Sequence, residues 1–106
     1  MNKTFHHVGM PTTRARDGEI YLPDIRLYIT DAGAHPHRIE WVRFGPGCPL
    51  PAVLSQRAHV AFAVDDLMAA LVGQKVIVPP FEPLPGVRVA FVLDDEAPVE
   101  FLEFKK

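Results

Sequence analysis

Alternation of apolar and polar residues predicts a chain built mainly of β-strands. The predicted strands cover residues 4–10, 25–30 and 38–44 in the first half of the chain. In the second half they lie within residues 57–66 and cover 75–78, 86–93 and 99–104. One short helix is predicted over residues 67–72, with Asp65 or Asp66 as its N-cap and Gly73 after its end. The pattern indicates an α+β fold.

The segments between these elements are polar or rich in proline, which predicts loops. Residues 12–23 show no helical period, and residues 79–85 contain four prolines. A connector with Gly-Pro-Gly at 45–47 separates two halves, predicted at residues 1–51 and 52–106 of a single domain. The second half then opens on a linker, residues 52–56.

The stretch 57–66 holds a single imidazole in an otherwise apolar strand. Alternation places His59 on one face with two small residues, Ala61 and Ala63, and the bulkier apolar side chains on the other face. Taken alone, His59 is most simply a core histidine that makes a hydrogen bond.

An internal repeat changes that interpretation. His-Val-Gly-Met at residues 7–10 matches His-Val-Ala-Phe at residues 59–62. Ile-Glu-Trp-Val-Arg-Phe at residues 39–44 matches Val-Glu-Phe-Leu-Glu-Phe at residues 99–104. Each half therefore begins on a strand with a histidine and ends on a strand with a glutamate.

This repeat resembles the vicinal oxygen chelate superfamily, the group of glyoxalases, bleomycin-resistance proteins and extradiol dioxygenases. The resemblance covers almost the whole chain and is most specific at residues 58–67, 89–92 and 98–104. It implies paired βαβββ modules that form a curved mixed sheet around a cup. The first module would lack its helix, because only fourteen residues separate Met10 from Ile25.

The same resemblance implies a divalent metal on the concave face of the sheet, with His7, Glu40, His59 and Glu100 as its ligands. Two imidazoles and two carboxylates suit Zn, Ni, Co, Mn or Fe(II). A carboxylate on an apolar face needs a partner, and a shared metal would satisfy both glutamates. Ion pairs with arginines such as Arg88, or exposure on a wet sheet face, are the alternatives.

The resemblance implies three functions. The leading one is a glyoxalase-like enzyme of the lyase or isomerase type, in which Glu100 or Glu40 removes a carbon-bound proton beside a metal-polarised carbonyl. A metal-free protein that binds or sequesters a small molecule is the rival from another class. An extradiol dioxygenase that uses Fe(II) is a further alternative, although it needs only one glutamate.

Composition narrows the set of partners. With 11 basic and 13 acidic residues, the net charge of -2 gives no footprint for nucleic acid or an anionic membrane. Cys48 is the only cysteine, and neither a signal peptide nor a membrane-spanning run is evident, so we expect a cytoplasmic protein. The missing helix would leave apolar sheet surface uncovered, which predicts a homodimer.

The remaining polar residues rank lower as site candidates. His6 is expected to point away from His7, because neighbouring residues on a strand face opposite sides. His35 and His37 lie in a predicted turn, and Glu103 is out of phase with Glu100. We expect the loop at 12–23, with Arg14, Arg16 and Tyr21, to replace the helix and to close over part of the cup.

Overall fold

The computed structural model describes residues 2–105, which form one eight-stranded sheet and two short helices. The strands are β1 (Lys3–Thr12), β2 (Ile20–Leu22), β3 (Leu27–Ile29), β4 (Ile39–Phe44), β5 (His59–Val64), β6 (Lys75–Leu84), β7 (Val87–Asp94) and β8 (Ala97–Phe104). The helices are α1 (Val53–Gln56) and α2 (Leu67–Leu71), and a 3-10 turn covers Ala32–Ala34. The α+β class is confirmed.

The order of the strands across the sheet is β2-β3-β4-β1-β5-β8-β7-β6. β1 runs parallel to β4 and β5 runs parallel to β8, while the other neighbours are antiparallel. The sheet is mixed and curved into a half-barrel. Its two central strands, β1 and β5, carry the two histidines of the repeat.

The two faces of the sheet bury separate apolar clusters. On the inner, concave face, Leu54 of α1 packs with residues of β5, β7 and β8, including Ala61 and Leu102. On the outer face, α2 covers β7 and β8 through Leu67 and Ala70. Burial on both faces of the second half fixes its register, because a slip of one residue would exchange the two faces.

Helix α2 has only five residues, so it depends on caps and packing for its stability. Asp66 Oδ1 accepts the Ala69 N–H at 3.1 Å, as its predicted capping role requires. Glu103 Oε1 accepts the Leu67 N–H at 2.6 Å, so Glu103 faces away from Glu100, as predicted. Among the described residues, no helix is long and apolar enough to cross a membrane.

Three predicted loops contain regular structure. The segment 79–85 was expected to be a loop, but β6 continues to Leu84 with register shifts around its prolines. β6 is an edge strand, where a residue without an N–H is tolerated. The linker 52–56 contains α1, because Leu54 is anchored in the concave cluster. The loop 12–23 contains β2, which pairs with β3.

The segment 12–23 reaches both sides of the first half, because Gly18 and Ile20 line a cavity that also contacts His7, whereas Arg16 lies on the outer face. Arg16 stacks on Trp41, 3.6 Å from the ring centroid, and Trp41 alternates with Glu40 along β4. Glu19 forms a bidentate pair with Arg43 at 2.7 and 2.8 Å, and Arg43 lies over Tyr28. The loop therefore covers the outer face of the first half, where the helix is missing.

Candidate metal centre

Strand pairing sets Gly9 between two of the candidate ligands. In β1, Gly9 lies opposite His59 of β5 on one side and beside Glu40 of β4 on the other. A β-carbon at position 9 would overlap the His59 imidazole. Glycine is required here because the His59 ring occupies the place that a β-carbon would take.

A second row of the same kind crosses the neighbouring strands. In β5, Ala61 lies opposite His7 of β1 and beside Glu100 of β8. Ala61 is fully buried. In each row a small residue separates a histidine from a glutamate, so the two rows bring four polar side chains to the centre of the concave face.

The four side chains converge into a single cluster. Their ligand atoms all lie within 4.8 Å of one another. Glu100 Oε1 lies 3.0 Å from His59 Nε2 and 3.2 Å from His7 Nε2. Glu40 Oε1 lies farther out, 3.6 Å from His7 Nε2. The cluster of His7, Glu40, His59 and Glu100 could hold a metal ion, with all four side chains that the resemblance implies as ligands.

The cluster is buried, and among the described residues its carboxylates have histidine partners but no lysine or arginine partner. Side-chain exposure is 2% for His7 and 9% for Glu100, but 19% for Glu40. Among residues 2–105, no arginine or lysine pairs with either glutamate. Arg88, the partner considered from the sequence, lies 3.8 Å from Glu103 instead. Ion pairs with arginines therefore do not account for the two glutamates, and exposure on a wet sheet face does not account for the buried Glu100.

The two glutamates differ in acidity. Burial and then the nearby charge of Glu100 raise the pKa of Glu40 to about 7. Burial alone would also raise the pKa of Glu100, but the hydrogen bond with His59 and the nearby His7 imidazole outweigh it and lower that pKa to about 2. Glu100 is therefore held as a carboxylate, whereas Glu40 can exchange a proton near neutral pH.

A β-bulge in β1 places His6 beside the cluster, where we had not expected it. Phe5 pairs with Phe62 and His7 pairs with Ala61, so His6 is the extra residue between them. The bulge breaks the strict alternation, and His6 Nδ1 lies 2.8 Å from His7 Nδ1. The prediction that His6 points to the opposite face is wrong.

Arg38 and Phe104 hold this bulge. The guanidinium Nε of Arg38 donates to the carbonyl oxygen of His6. The His6 ring packs against Phe104 with ring centroids 5.4 Å apart. The sequence contained one signal, the doubled histidine, but a bulge depends on the register against β5, which the sequence alone does not specify.

The residues present fit a divalent metal. His7 Nε2 is buried, has no hydrogen-bond partner, and lies among the other three side chains. An imidazole whose other nitrogen is held by a neighbour is the usual form of a metal-ligating histidine. A buried nitrogen without a partner is costly unless something binds it, and a metal at this point would do so.

Two cavities meet at the cluster. One, of about 80 Å³, contacts Glu40, His59 and Glu100. The other, of about 350 Å³, contacts His6, His7 and Glu40. They share the side chains of Ile29, Glu40, Leu84, Val87 and Leu102. A small molecule can therefore reach the cluster along mainly apolar walls.

The other histidines stay outside this centre. The rings of His35 and His37 lie 5.7 Å apart next to the 3-10 turn, and His35 Nδ1 accepts the backbone N–H of His37. Neither belongs to the cluster of possible metal ligands found among the described residues.

Comparison with known proteins gives a fold but no family. No protein-family model matches the chain, and no curated protein matches it. The chain is similar to the crystal structure of hypothetical protein BH1468 from Bacillus halodurans C-125, with a TM-score of 0.71 over 100% of this chain and 97% of that chain. The two sequences are 18% identical, so this likeness supports the cupped α+β fold alone.

Proposed function

We propose that this protein is a metal-dependent enzyme of the glyoxalase type, acting as a lyase or isomerase on a small molecule. The observation that carries the proposal is the convergence of His7, Glu40, His59 and Glu100 at the end of an apolar cavity. When bound there, a divalent ion would act as a Lewis acid that polarises a carbonyl of the ligand.

The order of the strands supports the vicinal oxygen chelate resemblance. Starting from the centre, the first half reads β1-β4-β3-β2 and the second half reads β5-β8-β7-β6. In both, the first and last strands of the half are parallel neighbours. We interpret the halves as two copies of one four-stranded module, the first copy having a loop where the second has α2.

Glu40 is the side chain best suited to move a proton. It is the more exposed of the two glutamates and it contacts both cavities, so its carboxylate can reach a carbon-bound proton of the ligand. The proton leaves the ligand carbon for the Glu40 carboxylate, the C–H electron pair moves toward the carbonyl, and Glu40 returns the proton at the end of the reaction. Glu100 is engaged by both histidines and serves as a permanent anion.

His6 would act through His7. Its Nδ1 contacts His7 Nδ1, so it orients the His7 ring and leaves Nε2 directed into the cluster. His6 is a positioning residue in this scheme.

The metal-free binding protein remains the second candidate, because the walls around the cluster are mainly apolar and would suit ligand capture without chemistry. An Fe(II) extradiol dioxygenase would use two histidines and one glutamate. The presence of Glu40 as a fourth converging side chain places that function third.

Metal analysis separates these candidates. Protein purified without chelators would be reloaded with Zn, Ni, Co, Mn or Fe(II), desalted and measured by mass spectrometry of the elements. We expect about one equivalent of metal per chain and a large loss in His59→Ala. His37→Ala, which removes an exposed histidine outside the cluster, is the matched control. Substoichiometric metal that is unchanged in His59→Ala would overturn the enzyme proposal in favour of the binding protein.

The homodimer and the cytoplasmic location remain predictions. Phe5, Met68 and Val72 are large apolar side chains exposed on the described part of the chain, which is compatible with a second copy packing there. Light scattering during size-exclusion chromatography should give twice the mass of one chain, and a monomeric mass would contradict the prediction.

A further inference from the structure

The cavities that meet along the cup contain histidines but no lysine or arginine side chain among the described residues. A third cavity, of about 610 Å³, shares Leu22, Phe81 and other apolar residues with the one that reaches Glu100. Across all three, the lining includes neither lysine nor arginine. Beyond the four candidate ligands, the wall is dominated by aliphatic and aromatic side chains and prolines.

The charges that these cavities do contain are negative. Asp24 and Glu82 line the largest cavity and Asp31 lines the one beside His7. Glu82 is paired with Lys105 at 2.6 Å, which leaves the two aspartates. At the cluster, the two positive charges of a divalent ion would be balanced by Glu40 and Glu100, so the loaded site would offer no net positive charge to an anion.

We propose that the ligand of this site is uncharged and apolar beyond the oxygen atoms that reach the metal, and that carboxylate- or phosphate-bearing molecules are excluded. This inference rests on the proposed metal-dependent function. The reason is that an anionic group in the cup would lose its water without gaining a basic partner, whereas a hydrocarbon group gains contact with Ile29, Leu84 and Val87. The site would therefore select its ligand in two ways, by favourable contact with hydrocarbon groups and by the cost of burying an anionic group.

The test uses two chelators that differ only at the end remote from the metal. Hexanohydroxamic acid binds metals through two adjacent oxygens and ends in a methyl group. Adipic acid monohydroxamate has the same chelating group and chain, but a carboxylate replaces the methyl. Calorimetric titration of Ni-loaded protein, with metal content measured before and after, should show hexanohydroxamic acid binding at least about tenfold more tightly.

A charge placed in the wall should reverse this preference. Leu84 is 37% exposed and lines both cavities at the cluster, so Leu84→Arg supplies the missing cation at a tolerant position. Val76 lies on the same strand, is 40% exposed and contacts neither cavity, which makes Val76→Arg the matched control. We expect Leu84→Arg to gain affinity for the anionic chelator and Val76→Arg to behave like the unsubstituted protein.

The outcomes separate this inference from the function on which it rests. Failure to load about one equivalent of metal would overturn both. A loaded protein that binds the two chelators equally, or prefers the anionic one, would overturn the ligand class alone. The comparison of the two chelators is made in the unsubstituted protein, so it tests the ligand class even if Leu84→Arg does not fold.

Discussion

The two halves of the sheet present the same pair of residues, a histidine and a glutamate, in unequal states. Glu100 of the second half contacts both histidines at 3.0 and 3.2 Å, and its pKa is lowered to about 2. Glu40 of the first half contacts only His7, at 3.6 Å, and its pKa is raised to about 7. The same repeated pair of residues thus gives one glutamate that stays ionised, Glu100, and one that can exchange a proton near neutral pH, Glu40.

The outer faces of the halves differ as well. In the second half, α2 buries Leu67 and Ala70 against β7 and β8. In the first half, the loop before β2 covers the sheet with Arg16 on Trp41 and with the Glu19–Arg43 pair. An apolar helix and a layer of stacked arginines are two ways of covering the outer face of one sheet.

The largest effect is expected from replacing each of the two glutamates by glutamine in turn. Glu40→Gln should retain metal but lower the rate of proton exchange by roughly 10²–10⁴-fold, because it removes the general base. The measurement is deuterium uptake from D₂O into acetoin, a small neutral hydroxyketone, by metal-loaded protein. Glu100→Gln should instead lose metal, and equal metal loss in both variants would show that the glutamates are equivalent.

Gly9→Ala tests the rows at the centre of the sheet. The added methyl would meet the His59 ring, so we expect a loss of about 1–3 kcal/mol in the free energy of unfolding and reduced metal content. Urea unfolding of metal-free protein measures the first effect. Ala61→Gly, at the equivalent position of the other row, should cost only about 0.5–1 kcal/mol. Equal losses of unfolding free energy in the two variants would contradict a special requirement for glycine at position 9.

His6→Ala tests the bulge, which β1 has and β5 lacks. Because His6 holds the His7 ring, we expect metal affinity to fall by about 10–100-fold, as for other residues behind a metal ligand. Competition with a chromogenic chelator measures the affinity. His35→Ala is the control, and an equal effect in both variants would contradict a positioning role for His6.

The pH dependence of stability should distinguish Glu40 from an ordinary surface carboxylate. Its pKa of about 7 in the folded protein exceeds the ordinary value of 4.5, so the folded state binds more protons between these values. Stability therefore falls as pH rises through this window. In chelator-treated protein, Glu40→Gln should be more stable than the unsubstituted chain by about 1–2 kcal/mol at pH 8 and equal to it near pH 4.5. A constant difference across this range would exclude the raised pKa.

The smallest effect concerns the cover of the first half. Arg16→Ala removes the stacking on Trp41 and should lower the free energy of unfolding by about 0.5–1 kcal/mol without changing metal content. Thermal unfolding and metal analysis measure the two quantities. A loss of metal in this variant would mean that the loop acts on the concave face after all.

Much of the fold was predictable from local pattern. Alternation located most of the strands, and Asp66 with the residues after it located α2. The prediction failed at residues 79–84, where prolines indicated a loop but an edge strand accommodates them. It also failed for α1, whose single turn depends on the burial of Leu54 and has little local signal.

The sequence by itself indicated which residues form the cluster, because His7, Glu40, His59 and Glu100 stand at matching places of a repeat and are the ligands that the family resemblance implies. Only the tertiary structure decided how they differ. The bulge at His6, the contact of the His59 ring with Gly9 and the unequal acidity of the two glutamates all depend on the register between strands. A pKa depends on burial and on the distances to other charges, and both quantities are set by how the strands pair and pack.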